Sequence, residues 1–198
     1  MSLSERANYR RNATFQGPQW IPTGFHISDA SWDQLRQDLE GVLALHPTLF
    51  PDFVPGRRDY GHFEFGPGQT AGSDYTDAWG CVWRAGINGL EGVVVGSPLA
   101  DLGALPTYQV PDPALQWDRE PANWQKARRD VEEARAHGRV ARGAVPHGFL
   151  FLRLSYLRGF ENLMLDMASG AGTWIALSSW SRATTVDWSS TGSSWAWT

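Results

Sequence analysis

An alternating stretch at residues 75–99 is the feature that most constrains the fold, because a strand there would have two chemically different faces. It begins YTDAWGCVWR. Residues two apart on a strand share a face, so Asp77, Trp79, Cys81 and Trp83 are predicted to point the same way. A glycine at each end of residues 86–89 predicts a turn, and residues 90–95 predict a second strand. The stretch therefore predicts a β-hairpin.

A carboxyl group beside two indole rings and a thiol makes Asp77 the first candidate for a functional residue. A carboxyl group held against apolar rings is suited to serve as a general acid or base. The alternative is a structural aspartate near the start of a strand, bonded to backbone N–H groups. Cys81 is interpreted as a small buried apolar residue and not as a nucleophile, because no base accompanies it.

Length and charge limit the class of protein. A chain of 198 residues is long enough for one domain with a substantial core, and a formal net charge of −4 disfavours nucleic acid or an anionic membrane as a partner. One cysteine excludes an internal disulfide, and the sequence has no cysteine–histidine spacing typical of zinc sites. Neither a secretory signal nor an apolar run of membrane-spanning length is visible, which predicts a cytoplasmic protein.

Three segments carry helix signals. Residues 31–46 open with SWDQ, which has the form of a capping box at Ser31, and repeat apolar side chains at helical spacing until Pro47. Residues 121–136 are predicted to form an amphipathic helix, with Pro121 in its first turn and Gly138 just past its end. Residues 149–167 are apolar over more than one stripe and predict a largely buried helix. Residues 50–69 are rich in proline and glycine and predict an irregular segment.

Short strands predicted at residues 21–27 and 140–145 each precede a helix. Such alternation predicts βα units on a parallel sheet, where sites gather at the carboxyl ends of the strands. His26 and His147 lie at the ends of these two strands, so both are candidates to face one cleft. The alternative for each histidine is a structural residue held by hydrogen bonds.

Four motifs, in their order and spacing, resemble the N-terminal half of the uroporphyrinogen decarboxylase superfamily, which also contains corrinoid- and coenzyme-M-linked methyltransferases. The motifs are YTDAWGCVW, GLEGVVVGSPLAD, YQVPDP and HGFLFLRLSYLRGFENLMLD. The resemblance covers roughly residues 7–169. It implies an α/β fold, an incomplete (β/α)8 TIM barrel formed by the N-terminal half with an inserted β-hairpin. Residues 1–170 would be the barrel part and residues 171–198 a separate tail.

The resemblance also implies roles for single residues. Asp77 falls on the active-site aspartate, which in the decarboxylases is expected to meet pyrrole N–H groups and the developing positive charge. Tyr156, in SYLRG, matches the tyrosine of the stretch that the family writes as T-Y-x-x-E-G. Trp79, His26 and His147 are expected to line the same site and contact the substrate.

One departure from the family pattern bears on the substrate. The decarboxylases carry R-Q-A-G-R after the first strand, and its arginines hold substrate carboxylates. The corresponding region here reads GFHISDASW and contains no arginine. A substrate with many carboxylates would lack its bidentate clamps, which favours the methyltransferase-like branch.

Cofactor and partner expectations follow from the same resemblance. This half is expected to bind no cofactor and no metal, whereas cobamide or zinc would belong to the second half of a full-length relative. The expected partner is a small-molecule substrate, either a tetrapyrrole or a methyl donor presented by a corrinoid protein. Neither nucleic acid nor a membrane is expected as a partner.

The last 28 residues differ in composition from the rest. They contain only two charged residues, Arg182 and Asp187, and five of the eleven tryptophans. With one permitted choice of codons, the adjacent reading frame of residues 173–198 encodes LDRAIELVARYNRRLVEHWLELGVD, an amphipathic helix typical of the family. A frameshift is therefore the hypothesis for the tail, and the nucleotide sequence tests it. A barrel of this type needs about 250 residues, so a partial one exposes a strand edge and predicts non-native self-association.

Three interpretations of function stay open. The first is an enzyme of this superfamily, a carboxy-lyase or methyltransferase, that acts through Asp77. The second is a truncated, non-catalytic remnant that is inactive alone. The third is a tryptophan-rich carbohydrate-binding module that stacks sugars on Trp79, Trp83 and the tryptophans of the tail.

Overall fold

A computed structural model describes residues 2–60, 64–112, 114–116, 121–141 and 151–170. The chain divides into two compact units. The first unit comprises residues 1–63 and 123–144, and the second comprises residues 64–122 and 145–198. Within the described ranges, no helix has both the length and the apolar character needed to cross a membrane.

In the described part of the first unit, the chain forms three helices, α1 (Glu5–Ala13), α2 (Asp29–Ala44) and α3 (Trp124–Ala136). The Ser4 side chain caps α1 by accepting a hydrogen bond from the Ala7 backbone N–H. Gly138 follows α3 with a φ of +64°, and its carbonyl accepts a bond of 2.9 Å from the Arg6 N–H. The end of α3 is thereby tied to the start of α1.

A buried amide holds the loop that follows α1. Asn8 is fully buried, and its Nδ2 donates to the Trp20 carbonyl at 2.8 Å. Its Oδ1 accepts from the backbone N–H of Gln19 at 2.7 Å and from that of Trp20 at 3.4 Å. Because a buried amide must be hydrogen-bonded, these contacts define the path of the loop.

Helix α2 anchors the irregular segment that follows it. The Trp32 ring, buried on α2, packs 6.3 Å from the Phe53 ring and lies 4.5 Å beneath the Arg58 guanidinium. The Glu40 carboxylate accepts from the Gly56 N–H at 2.8 Å and from the Tyr60 hydroxyl at 2.7 Å. The irregular segment predicted over residues 50–69 is confirmed where it is described, at residues 50–60 and 64–69, which contain turns but neither helix nor strand.

Helix α2 confirms a helix in the region predicted at residues 31–46, but it runs from Asp29 to Ala44 and is kinked at Arg36, whose φ of 45° and ψ of −120° are not helical. Its start also needs a correction. The cap is Ser28, whose Oγ accepts from the Ser31 N–H at 3.2 Å, so the capping box predicted at Ser31 is wrong. Ser28 is extended, with φ −66° and ψ 152°, as a cap residue must be to precede the first helical turn.

Two further predictions in this unit need correction. The strand predicted at residues 21–27 is irregular, and its Pro22 lacks the N–H that a paired strand donates. Helix α3 begins at Trp124 with Asn123 as its cap, while Pro121 forms an isolated bridge with Gln116 before it. Of the strand predicted at residues 140–145, residues 140 and 141 are irregular and residues 142–145 lie outside the described residues.

The second unit contains a three-stranded antiparallel sheet in the order β1 (Asp74–Thr76), β2 (Val82–Arg84) and β3 (Val93–Gly96). Trp83, on the central strand, faces Tyr75 on one side and Val94 on the other. The pair β2–β3 confirms the predicted hairpin, but its second strand, predicted over residues 90–95, is Val93–Gly96. All three strands come from the region predicted as the inserted hairpin, and the incomplete barrel stays a prediction.

Two helices follow where the sequence predicted one, namely α4 (Phe151–Arg158) and α5 (Phe160–Ala168). They are separated by Gly159, whose dihedral angles, φ 82° and ψ 136°, lie outside the helical region. An L-residue rarely adopts a positive φ, so glycine is the residue that allows the break. The single helix predicted over residues 149–167 is therefore wrong at Gly159, and its predicted burial is wrong at Leu152, Phe160 and Met167, which are exposed. Residues 149 and 150 lie outside the described residues.

The core of the second unit lies between the sheet and these helices. Its buried apolar residues are Cys81, Trp83, Leu99, Leu154, Leu157 and Leu163. The complete burial of the Cys81 side chain confirms its interpretation as a small core residue.

A buried ion pair connects α4 and α5 beside this core. Arg158 on α4 binds Asp166 on α5 through two contacts, Nε to Oδ2 at 2.8 Å and Nη2 to Oδ1 at 3.3 Å. Its Nη1 also donates to the carbonyls of Leu99 and Ala100, and the Leu99 N–H donates to the Leu157 carbonyl at 2.8 Å. These contacts hold the turn after β3 against both helices.

Candidate functional site

The site predicted around Asp77 forms at a tight turn and not along one strand. Asp77 follows β1 directly, its N–H donates to the Cys81 carbonyl at 3.0 Å, and its carbonyl accepts from the Gly80 N–H at 3.0 Å. Gly80 has a φ of +79°, a conformation that glycine adopts without strain. The prediction that residues 77–83 alternate along a single strand is therefore wrong, because the chain reverses direction between Asp77 and Cys81.

The reversal nevertheless brings the same groups together. The Asp77 carboxylate is buried, with the residue 5% exposed. Its Oδ1 accepts from the backbone N–H groups of Trp79 at 2.9 Å and Cys81 at 2.8 Å. Its Oδ2 accepts from the indole N–H of Trp83 at 2.8 Å. The structural alternative considered for this aspartate, a carboxylate bonded to backbone N–H groups at a strand end, matches these contacts.

Arg153 on α4 completes the surroundings of the carboxylate. Its Nη1 lies 3.4 Å from Asp77 Oδ2, and the residue is 4% exposed. The guanidinium lies 4.7 Å from the centre of the Trp79 ring and 5.9 Å from that of Tyr156, which are cation–π distances. A buried cation between two aromatic faces and beside a carboxylate is thus the electrostatic centre of the site.

Two tyrosines border this centre. The Tyr156 ring packs edge-on against the Trp83 ring, with the ring centres 4.9 Å apart. The Tyr108 hydroxyl donates to the Trp79 carbonyl at 2.7 Å. Burial, followed by the proximity of Cys81 and Asp77, raises the pKa of Tyr108 well above its usual range. Tyr108 is therefore a hydrogen-bond donor here and not a base.

The hydrogen bonds to Asp77 differ in how easily a ligand could replace them. The three shorter bonds come from groups of its own turn and sheet, and breaking any of them would open the local backbone or move Trp83. The fourth contact comes from the Arg153 side chain and, at 3.4 Å, is the longest. By distance, the Arg153 contact is therefore the weakest of the four hydrogen bonds to Asp77.

The structure brings together three of the five site residues predicted from the sequence. Asp77, Trp79 and Tyr156 all lie around Arg153. His26 is exposed and belongs to the first unit. His147 lies outside the described residues, so its predicted place in the site stays a prediction.

Sequence reasoning missed Arg153 and Tyr108. The signal for Arg153 was present, because it is the one charged residue in the run FLFLRLSYL, which was predicted to be largely buried. A charge in a buried helix needs a partner, and Asp77 was the carboxylate already predicted to lie among apolar rings. Tyr108 opens the motif YQVPDP and carries no comparable signal.

The aromatic residues proposed as sugar platforms have other contacts. Trp83 is buried, and its indole N–H is bonded to Asp77. Trp79 is half-buried, and its ring lies beneath the Arg153 guanidinium. Stacking of a sugar needs an exposed ring face, which the buried Trp83 lacks, and one face of the Trp79 ring is covered by Arg153. The tryptophans of residues 171–198 lie outside the described residues.

Among the residues that the structure describes, no group of three or more histidine, cysteine, aspartate or glutamate side chains converges on a point where a metal ion could bind. The expectations about cobamide or zinc concern a second half of the barrel and stay predictions.

Comparisons with protein-family models, with curated proteins and with solved structures find no match to this chain. The superfamily assignment therefore rests on the sequence motifs and stays a prediction.

Proposed function

We propose that this chain is a uroporphyrinogen decarboxylase-like protein with Asp77 as its site carboxylate, acting on a tetrapyrrole or in cobamide-dependent methyl transfer. The substrate would donate an N–H to Asp77 or place a developing positive charge beside it. The rings of Trp79 and Tyr156 would contact the ligand through their apolar surfaces.

One observation carries the proposal. The two motifs on which the resemblance depends most, YTDAWGCVW and HGFLFLRLSYLRGF, meet in space at Asp77 and Arg153, residues 76 positions apart in the chain. The same meeting brings Tyr156 against Trp83 at 4.9 Å between ring centres. The convergence of both motifs on one buried carboxylate supports the proposal, because functional sites often hold charged groups in such buried surroundings.

The chemistry of the cluster agrees with a role in charge stabilisation. Asp77 has three short hydrogen bonds that fix its position, so it is pre-organised to accept a further donor or to stabilise positive charge. The absence of arginine in GFHISDASW favours methyl transfer over decarboxylation of a substrate with many carboxylates.

A specific observation also favours the non-catalytic alternative. The chain itself supplies four donors to the Asp77 carboxylate, two of them backbone N–H groups of its own turn. A carboxylate bonded in this way explains the turn without any ligand. Under this alternative the protein retains the packing of the family motifs and has no activity.

Ligand binding to the full chain distinguishes the two functions. Coproporphyrin III and hydroxocobalamin are titrated separately, and binding is followed by tryptophan fluorescence, since Trp79 and Trp83 flank Asp77. The activity readouts are transfer of the methyl group from methylcobalamin to added coenzyme M, and conversion of uroporphyrinogen to coproporphyrinogen with release of carbon dioxide. The proposal expects saturable binding of at least one of these molecules.

Two matched variants locate the binding. Asp77→Asn places an amide NH₂ where the indole of Trp83 and the guanidinium of Arg153 donate, and it is expected to abolish binding. Asp74→Asn changes an exposed carboxylate three residues away, which pairs with Arg84, and it is expected to leave binding unchanged. If Asp77→Asn does not fold, Tyr156→Leu, which removes the ring that the proposal places against the ligand, is compared with Asp74→Asn in the same titrations. Equal binding by both variants, or no binding by the wild-type chain, contradicts the proposal and supports the non-catalytic alternative.

A further inference from the structure

The loop between β2 and β3 contains the one asparagine–glycine pair of the sequence, Asn88–Gly89. Each of the other four asparagines precedes a residue with a side chain. Asparagine before glycine is the pair most prone to lose ammonia, because the glycine nitrogen can reach the asparagine side chain without hindrance from a Cβ. Whether this loss occurs depends on the contacts that hold the two residues.

The structure binds both reacting groups to one segment, residues 66–72, which we call the covering segment. The nitrogen of Gly89 would be the nucleophile, and its N–H donates to the Gln69 carbonyl at 2.8 Å. The side-chain amide of Asn88 would be attacked, and its Oδ1 accepts from the Ala71 N–H at 2.8 Å. The nucleophile and the group that it would attack are thus both held by the covering segment.

The covering segment lies on the sheet through contacts near its two ends. At one end, the Gly72 N–H donates to the Ala85 carbonyl at 2.9 Å, and Ala71 forms a bridge with Ala85. Near the other end, Gly68 is buried with a φ of +73°, and a Cβ there would lie 3.2 Å from Tyr75 Cδ1. Residues 70–73 are exposed. A segment with exposed backbone hydrogen bonds can open locally without unfolding of the whole chain.

We propose that Asn88 is a latent modification site, which the closed covering segment protects and which converts to isoaspartate when the segment opens. In this reaction the Gly89 nitrogen loses its proton and forms a bond to Asn88 Cγ, while the bond from Cγ to Nδ2 breaks and ammonia leaves. The product is a succinimide ring. Water then opens the ring at either carbonyl and gives aspartate or isoaspartate. Water is the only co-reactant, and the inference does not depend on the proposed function.

The two products differ in their effect on the covering segment. Aspartate at position 88 keeps an oxygen that can accept from the Ala71 N–H. Isoaspartate instead routes the backbone through the former side chain and adds a methylene to it, so the Gly89 N–H moves out of register with the Gln69 carbonyl. Formation of isoaspartate therefore keeps the segment open, and the opening becomes irreversible.

Conversion in the folded and the unfolded chain tests the proposal directly. The full wild-type chain is incubated in buffer and in guanidinium chloride at the same temperature and mildly alkaline pH. Mass spectrometry follows the peptide that contains Asn88, and an isoaspartyl methyltransferase measures isoaspartate. The folded chain is expected to convert about tenfold or more slowly, because two hydrogen bonds must break first. Equal rates in the two states, no conversion in guanidinium chloride, or conversion without isoaspartate overturns the proposal.

Two glycine variants assign the protection to the covering segment. Gly68→Ala places a Cβ against Tyr75 at a positive φ, so it is expected to open the segment and to raise the rate of conversion in buffer toward that of the unfolded chain. Gly56→Ala has the same φ of +73° in open space in the first unit, and it is expected to convert as the wild-type chain does. Equal rates for the two variants overturn the proposal.

A further variant is used if Gly68→Ala does not fold. Ala71→Pro removes the N–H that holds Asn88 Oδ1, and it is expected to convert faster than both the wild-type chain and Gly56→Ala. Conversion of Ala71→Pro at the wild-type rate equally overturns the proposal.

Discussion

The Arg153 guanidinium lies 3.4 Å from the Asp77 carboxylate, although 76 residues separate the two in the chain. Arg153 is on α4 and Asp77 is in the turn between β1 and β2, so this contact joins the helical and sheet parts of the second unit. Both side chains are almost completely buried, at 5% and 1% exposure respectively. A buried charge without its partner is strongly unfavourable, which makes this pair a test of stability as well as of function.

Replacement of Asp77 by alanine is expected to destabilise the second unit strongly. The change leaves two backbone N–H groups, an indole N–H and a guanidinium without their acceptor, and removal of one partner of a buried ion pair costs about 3–5 kcal/mol. The free energy of unfolding from urea denaturation measures this loss. Asp74→Ala, at an exposed pair, is the control and is expected to leave the midpoint nearly unchanged. Equal shifts for the two variants would show that Asp77 is not a structural centre.

The pair Arg158–Asp166 is expected to show strong coupling in a double-mutant cycle. Asp166→Leu leaves Arg158 buried without its carboxylate and is expected to lose about 3–5 kcal/mol in the free energy of unfolding. Arg158→Met also removes the donors to the carbonyls of Leu99 and Ala100. The double variant is expected to lose less than the sum of the single variants, because no charge stays buried. Additive losses would indicate that the two side chains act independently.

Substitution of Gly159 by alanine is expected to destabilise the protein although space is available. A Cβ there would lie 3.6 Å from Asn162 Nδ2 and 3.7 Å from Ser97 Oγ, which are ordinary contacts. The φ of +82° is the obstacle, and it costs an L-residue about 1–2 kcal/mol. Gly41→Ala, in open space on α2, is the control and is expected to stabilise by about 0.5–1 kcal/mol. A stabilised Gly159→Ala would show that α4 and α5 can join into one helix.

The Glu40 cluster is expected to lose stability in acid. The hydrogen bond from the Tyr60 hydroxyl, followed by that from the Gly56 N–H, lowers the pKa of Glu40 from its ordinary value of 4.5. A carboxyl group with a lowered pKa in the folded state contributes stability that is present above pH 4.5 and is lost as the pH falls through the lowered value. The unfolding temperature of the wild-type chain should therefore decline more steeply than that of Glu40→Gln between about pH 6 and about pH 3. Parallel declines would contradict this account.

Tyr60 is expected to titrate late in alkali. Burial, followed by the hydrogen bond to Glu40, raises the pKa of Tyr60 to about 12. A tyrosine with a raised pKa contributes stability below its ordinary value of 10.0, and that stability is lost as the pH rises toward 12. The difference in phenolate absorbance between the wild-type chain and Tyr60→Phe measures this one side chain. A midpoint near the ordinary value would show that the hydroxyl is not bonded to Glu40.

The sequence was sufficient for features whose signals lie within a few residues of one another. Apolar spacing predicted α2 and α3, and Gly138 was correctly placed just past the end of α3 at a positive φ. The glycines at 86 and 89 predicted the turn of the second hairpin, and the lack of a neighbouring base predicted a buried structural role for Cys81. In each case the hydrogen bonds or the burial depend on local backbone geometry.

The details of the candidate site depended on longer-range contacts. Alternation along residues 77–83 predicted the correct neighbours of the Asp77 side chain but the wrong backbone conformation. Two side chains can be neighbours either because they share one face of a strand or because they lie across a tight turn. His26 and His147 were grouped by analogy with parallel strands. His26 lies in the first unit, and the grouping with His147 stays a prediction.

What the sequence by itself determined is therefore the position of α2 and α3, the second hairpin and the identity of Asp77 as the residue around which aromatic groups gather. Only the tertiary structure decided that the chain turns at Asp77, that Gly159 separates α4 from α5, and that Arg153 reaches the carboxylate. The physical reason is the separation along the chain of the residues that make each contact. Hydrogen bonds within a turn or helix are set by neighbouring residues, whereas the pairing of two buried charges 76 residues apart is decided by the packing of the whole unit.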